Sequence, residues 1–211
     1  MITLTAYRWV PPFAQGLVKD LRVRWALEEA GLAYQARLLE SGENATPAYR
    51  ALQPFGQVPA VEIDGLQLFE SGAIVLHIAE QAEVLMPTDP AGRARTRTWV
   101  FAALNSIEPS IDQLGDTEGE EAWAVARRPA AMAKVHRRLD ELETWLGDKA
   151  HLEGRFTAGD LMMTTVLRNL RDTDIVSGRP RLSAYVARCE ARPAFQRALA
   201  DHMRPFEANA A

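Results

Sequence analysis

Cysteine is almost missing from this chain: Cys189 is the only one in 211 residues. That excludes an internal disulfide framework and a cysteine-based metal site. The four histidines, His77, His136, His151 and His202, show no ligand spacing, so no metal is expected. Long apolar runs are missing too. No stretch approaches the roughly 20 residues of a membrane-spanning helix, so no membrane partner is expected. The N-terminus has no charged leader followed by a long apolar region, which makes a cytoplasmic protein the expectation. Positive charge is in the minority, with 24 Lys and Arg against 28 Asp and Glu and a net charge of −4. That balance argues against a nucleic-acid surface.

What is present is enough for a proper core. Hydrophobic residues make up 47% of a chain long enough for one large domain or two small ones. Ile2 to Tyr7 has strand character, with β-branched and apolar residues interleaved with small ones. Arg8 to Gly16 contains Pro11, Pro12 and Gly16 and reads as a connection longer than the usual 2–6 residues or so. A helix is expected from Leu17, with Gly31 as its stop. Tyr34 to Leu39 follows as a second strand, then polar loop from Ser41 to Thr46 and a short helix or turn over Pro47 to Leu52.

The most informative stretch runs from Leu52 to Ser71. Pro59 opens an apolar run, Ala60 to Ile63, and Asp64-Gly65 separates it from a second, Leu66 to Phe69. Asp-Gly between two β-prone segments specifies a hairpin, because a type I′ turn needs positive φ at both central residues. Ser71 is then an N-cap candidate for an apolar helix carrying Ala73, Ile74, Leu76 and Ile78. If the bond before Pro59 were cis, Val58 would turn its backbone polar groups out of the sheet, where an extended peptide could pair with them. A trans proline at a strand start is the ordinary alternative. Ser71 at a helix start suits a carboxylate and Glu70 an ammonium, the two ends of a free amino acid. A simple cap beside a solvated glutamate is the competing interpretation.

Phe55-Gly56-Gln57-Val58-Pro59-Ala60, followed eleven positions after Pro59 by Glu70-Ser71, closely resembles the glutathione site of soluble glutathione transferases. The resemblance implies a cis Val58–Pro59 bond, with Val58 pairing to the cysteinyl unit of glutathione. It also implies that Glu70 and Ser71 hold the γ-glutamyl headgroup, and it puts Gln57 in the same site. It extends over nearly the whole chain. Residues 1–82 show the βαβαββα order of a thioredoxin-like α/β domain. Residues 83–92, with Pro87, Pro90 and Gly92, read as a linker, and 93–211 as an all-α C-terminal domain.

In that second part Val100, Leu104, Ile107, Ile111 and Leu114 share one helical face, with a kink expected at Pro109. Pro129 is placed at the start of the next helix, along which Met132, Val135, Leu139, Leu142 and Leu146 recur at helical spacing. Phe156-Thr157-Ala158-Gly159-Asp160-Leu161 carries a short-chain capping box and a hydrophobic staple. Arg181 to Ala191 and Pro193 to Met203 complete the helices.

Family members lower the pKa of the glutathione thiol from roughly 8.5. Two units correspond to about 2.7 kcal/mol of preferential thiolate stabilisation. The family's usual donor is a Tyr, Ser or Cys at the first strand's end or the first helix's start. No Ser, Thr or Cys lies between Tyr7 and Leu21, so Tyr7 is the catalytic candidate. Trp9, Gln15 and Lys19 are the other side-chain donors nearby, and a main-chain N–H of the Pro-rich loop or near Gly16 could do the same work. Trp9, Phe13, Trp99 and Ser106 are candidates for the wall of a second-substrate pocket, Trp99 and Ser106 through their spacing of seven on one helix face. Cys189 is expected to be a buried packing residue. The expected function is conjugation of glutathione, as co-substrate, to a small hydrophobic electrophile by a protein that the resemblance makes a homodimer. A glutathione-dependent peroxidase, reductase or isomerase is one alternative, and a non-catalytic glutathione-binding module is another.

Overall fold

A computed structural model describes residues 1–208; the last three residues of the expected 93–211 domain lie outside it. Two compact units are present: Met1–Met86 together with the chain from Ala191 on, and Pro87–Glu190.

The first unit is built on a four-stranded mixed sheet in the order β2-β1-β3-β4. β1 (Ile2–Tyr7) and β2 (Tyr34–Leu39) are parallel, joined through α1 (Asp20–Ala30). β3 (Ala60–Ile63) pairs antiparallel with β1 and with β4 (Leu66–Phe69). The hairpin turn is as its sequence demands, with Asp64 at φ 50° and Gly65 at φ 86°. A one-turn α2 (Pro47–Arg50) precedes the hairpin and α3 (Ser71–Ala79) follows it. This is the thioredoxin-like order.

Gly31 closes α1 in the left-handed conformation at φ 66°. The Leu32 N–H then reaches the Leu27 carbonyl, the bond that ends a helix without orphaning its carbonyls. The start differs from expectation. Residues 17–19 form tight turns after Gly16, which sits at φ 79°, and the helix begins only at Asp20. A residue at positive φ cannot belong to a right-handed helix.

The second unit contains α4 (Pro90–Ala102), α5 (Glu108–Gly115), α6 (Ala122–Leu146), α7 (Ala158–Leu167), α8 (Asp174–Ser177) and α9 (Pro180–Glu190). Between α4 and α5 the chain makes a π turn, Ala103–Ile107, in which the Glu108 N–H donates to the Ala103 carbonyl. Pro109 follows at once. It has no N–H for the Asn105 carbonyl and its ring would strike it, so the helix widens just upstream. The expected kink takes that form. Pro129, expected at a helix start, lies inside α6. The turn before it is largely solvent-exposed, so water can satisfy the carbonyl that the proline leaves without a donor.

α7 starts as expected. The Thr157 side chain accepts from the helix and Asp160 Oδ2 accepts from the Thr157 N–H at 2.9 Å. Phe156 and Leu161 are both buried. Gly159 allows a close approach to α4, because a Cβ there would stand 2.6 Å from Trp99 Cβ. Cys189 is buried, as is Tyr185, whose hydroxyl donates to Asp160 Oδ1 at 3.1 Å.

α10 (Pro193–Ala208) departs from the expected division. Counted with the helical domain in the sequence, it packs along α1 in the first unit. Phe195, Ala198, His202 and Phe206 form its buried stripe. The Trp25 and Phe195 rings meet edge to face at 4.8 Å, and Arg192 grips Glu29 through two bonds of 2.5 and 2.7 Å. At the centre, buried Asp20 accepts from Arg24 Nε at 2.8 Å and faces His202 Nδ1 at 3.0 Å. Arg24 also binds Asp201, which accepts from Tyr34.

Candidate functional site

Sheet register gathers most of the candidate residues. β1 and β3 run antiparallel with Leu4 opposite Val61, so the same register continued places Tyr7 beside Val58. The hairpin sets Ala60 opposite Phe69, so Pro59 and Glu70 come next on neighbouring strands. Three stretches remote in sequence thus share one rim of the sheet, about two strand spacings or roughly 10 Å across.

The Val58–Pro59 bond is cis. Its surroundings are tied down on both sides by side chains that sequence reasoning did not single out. Thr5, buried on β1, accepts from the Ala60 N–H at 2.7 Å and lies 2.9 Å from the Tyr49 hydroxyl. Tyr49 donates to the Gln57 carbonyl at 2.7 Å. Buried Gln53 accepts from the N–H groups of Phe55 and Gln57 with one carbonyl oxygen. Asn44 donates to the Gly56 carbonyl at 2.7 Å, and a Cβ on Gly56 would collide with the Asn44 carbonyl at 2.8 Å. This loop is therefore a fixed frame. Among the described residues nothing hydrogen-bonds the Val58 main-chain N–H or C=O, so that edge is open to a peptide. The Gln57 side chain is exposed. A buried Thr in a strand and a Tyr at regular core spacing gave no local signal of these roles.

Glu70 and Ser71 differ in detail from expectation. The N-cap is Glu70, held at φ 69° and making no side-chain cap bond, and Ser71 is the first helical residue. Positive φ in a non-glycine residue is uncommon and clusters at ligand-binding positions. Here it turns the chain sharply off β4, leaving the Glu70 carboxylate exposed and Ser71 buried at the first turn of α3. No described residue pairs with the Glu70 carboxylate.

The Tyr7 ring packs against the cluster of Leu39, Tyr49 and Val58, along with Val18 and Leu52. Its hydroxyl lies 3.5 Å from Asn44 Nδ2, from which it accepts, and burial raises its pKa, so the group stays protonated and able to donate. The rival donors fare differently. The Gly16 N–H is taken by His202 Nε2 at 3.3 Å, and Gln15 Nε2 by the Val10 carbonyl at 3.1 Å.

Of the second-substrate candidates, Trp9 and Phe13 are 52% and 76% exposed on the 8–16 connection. Trp99 is a packing residue of the helical unit: its indole donates to Glu153 at 2.7 Å and its ring meets Trp145 at 5.4 Å. Ser106 is exposed in the π turn. That turn spoils the one-face argument for Trp99 and Ser106, because an enlarged turn between two residues breaks the return of a seven-residue spacing.

Among the described residues no group of three or more His, Cys, Asp or Glu is arranged to hold a metal ion. No helix among them is long and apolar enough to cross a membrane.

Residues 4–80 match the family model for the glutathione S-transferase N-terminal domain, and residues 124–193 match that for the C-terminal domain. The chain is 33% identical over 200 residues to a maleylacetoacetate isomerase of Rhizobium meliloti (strain 1021), covering 87% of this chain and 92% of that one. It is 31% identical over 174 residues to a glutathione S-transferase of Hyoscyamus muticus, covering 76% and 82%. A glutathione transferase structure from Burkholderia graminis, with two glutathione molecules bound per subunit, shares 28% identity at a TM-score of 0.81 over 94% of this chain and 87% of that one. The rim of cis-proline loop and α3 start and the order of the strands around it agree with these matches: the chain belongs to the glutathione S-transferase family.

Proposed function

We propose that this glutathione transferase binds glutathione along the rim and conjugates its thiol to a small hydrophobic electrophile. The observation that carries the reading is the open Val58 backbone edge beside the exposed Glu70 carboxylate and the start of α3. A peptide lying along Val58 with its γ-glutamyl end at Glu70 and Ser71 satisfies each of these groups. Glu70 meets the ammonium, while the Ser71 hydroxyl and the free N–H groups of the first α3 turn meet the carboxylate. Gln57 lies next to the peptide. Tyr7 then donates to the thiolate. One charge-assisted hydrogen bond contributes about 1.5–3 kcal/mol, the size needed to make the thiolate the main species at neutral pH. Trp9 and Phe13 offer apolar surface to the electrophile. The isomerase relative supports a second reading, in which the thiol adds reversibly to an unsaturated acid and leaves again, with no net consumption of glutathione.

Calorimetry with glutathione tests the binding step, and product analysis separates the chemistries. A halo-aromatic should yield a thioether with release of halide. An unsaturated acid isomerised with no loss of glutathione would support the second reading instead. Absence of glutathione binding at millimolar concentration overturns both.

A further inference from the structure

The connection from Arg8 to Gly16 leaves β1 just after Tyr7 and carries Trp9 and Phe13. It is bonded within itself. The Ala14 N–H donates to the Pro11 carbonyl at 2.9 Å, the Gln15 N–H to that of Pro12 at 3.2 Å, and the Gln15 side chain to that of Val10 at 3.1 Å. Those bonds give the connection a shape but not a place. At its near end β1 supplies the place. At its far end stands Gly16, at φ 79° and without a side chain, so its main chain is what a neighbour can grip. That neighbour is His202 on α10, 1% exposed, whose Nε2 accepts from the Gly16 N–H at 3.3 Å.

Two contacts on one ring settle its protonation. A main-chain N–H only donates, so Nε2 carries no proton. Asp20 Oδ2 lies 3.0 Å from Nδ1 and also accepts from Arg24 Nε at 2.8 Å, as an ionised carboxylate does, so Nδ1 carries the ring's proton. His202 thus donates to α1 with one nitrogen and accepts from the connection with the other. The Phe206 ring meets it edge to face at 5.3 Å.

We infer that His202 is a positioning residue for the reaction: from α10 it fixes the far end of the Arg8–Gly16 connection, and with it the placement of Trp9 and Phe13 against the electrophile. His202 touches neither substrate; it acts through Gly16, 186 positions away in sequence. This role rests on the reading that Trp9 and Phe13 meet the electrophile, and adds to it a residue that no motif near Tyr7 contains. Two anchored ends leave the connection one resting place, whereas one anchored end leaves it many. Selecting a single place on binding costs free energy that a preset connection does not lose.

The test is a double-mutant cycle read by kinetics. His202→Phe keeps a ring beside Phe206 and removes both bonds. His202→Gln keeps a donor and an acceptor on its amide. With a halo-aromatic as electrophile, His202→Phe should lower kcat/KM about tenfold, the size of effect expected from a modest misplacement. Calorimetric affinity for glutathione should stay within about twofold of the parent, since Val58, Glu70 and Ser71 are untouched. His202→Gln should recover most of the loss. On a Trp9→Ala, Phe13→Ala background, His202→Phe should cost less than about twofold, because the groups it positions are gone. If isomerisation of an unsaturated acid is the activity, the same cycle is run on that substrate. Because loss of a buried imidazole beside Asp20 can compromise folding, one arm uses the parent alone. Its Gly16 amide, followed by NMR, should exchange with deuterium more slowly than the amides of exposed loops. Fast exchange at Gly16 overturns the inference. So does an unchanged kcat/KM in folded His202→Phe, a loss that persists in full on the Trp9→Ala, Phe13→Ala background, a loss that His202→Gln does not recover, or a glutathione affinity that falls in step with kcat/KM. A parent that turns over neither substrate overturns the proposed function, and this role with it, even where the Gly16 amide is protected.

Discussion

A phenol that burial keeps protonated can serve as a hydrogen-bond donor throughout the neutral range, and Tyr7 is such a group. Tyr7→Phe removes its hydroxyl and little volume, so the fold should persist and glutathione affinity should change little. The bound thiol's pKa should rise by about one to two units, equivalent to about 1.4–2.7 kcal/mol. Thiolate absorbance titrated against pH with glutathione bound reads this directly, and a curve like the parent's would reduce Tyr7 to a packing residue. Glu70→Ala and Ser71→Ala should each weaken glutathione binding by about 1.5–3 kcal/mol, the worth of a charged hydrogen bond. Unchanged calorimetric affinity in both would remove the headgroup site. Tyr49→Phe probes the frame instead. It leaves the Gln57 carbonyl and Thr5 with one partner fewer, at a cost of about 1–3 kcal/mol in stability by urea unfolding. The Tyr49 hydroxyl also shows where reading residues one at a time stops. Pro59, Glu70 and Ser71 announce themselves through turn chemistry and helix-start chemistry, but the Tyr49–Gln57 bond becomes visible only once α2 and the loop are side by side.

At the scale of elements, α10 is held to α1 by charge as well as by rings. Burial alone would raise the Asp20 pKa, but His202 and Arg24 outweigh it and leave the carboxylate below its ordinary 3.8. A carboxylate depressed in the folded state holds fewer protons there than in the unfolded chain. The stability it contributes is complete above the ordinary carboxylate range and is lost as pH falls below it. Asp20→Asn should therefore cost most near neutrality, about 3–5 kcal/mol for a broken buried pair. The gap to the parent should narrow as the pH is lowered through 3.8. Urea midpoints at several pH values test this, and a gap constant with pH would mean that Asp20 is not the ionised partner. The pairing across the two helices was not legible, because Asp20 and His202 stand 182 positions apart and His202 occupies a place in an otherwise apolar stripe. The strands, the hairpin and the Thr157 capping box were legible because each rests on residues within a few positions of one another. The start of α1, the placing of Pro129 and the cap of α3 were not. In each case a neighbour decided the outcome: Gly16 at positive φ, an exposed turn that tolerates a lost bond, and Glu70 in a conformation its side chain does not favour.

For the molecule as a whole, the sheet ends in an exposed edge strand, β4, carrying apolar side chains. Leu66 and Phe69 are exposed, and Phe69 meets the exposed Phe55 at 6.2 Å. An apolar edge of this kind favours a partner surface, which supports a homodimer. Replacing Phe55 and Phe69 with Ser should shift the mass measured by light scattering to that of one chain. A parent protein that already measures as one chain at micromolar concentration would overturn the dimer. Another consequence follows from α10 lying on α1. The first unit is discontinuous, since its last helix leaves the ribosome after some hundred residues that belong elsewhere. At about 5–20 residues per second, the nascent sheet waits roughly 5–20 s with Trp25, Asp20 and Arg24 lacking the partners that bury them. During biosynthesis that face of α1 is a ready target for a holding chaperone. Residues 1–86 expressed alone should remain soluble only when the 191–208 helix is supplied, as a fusion or in trans.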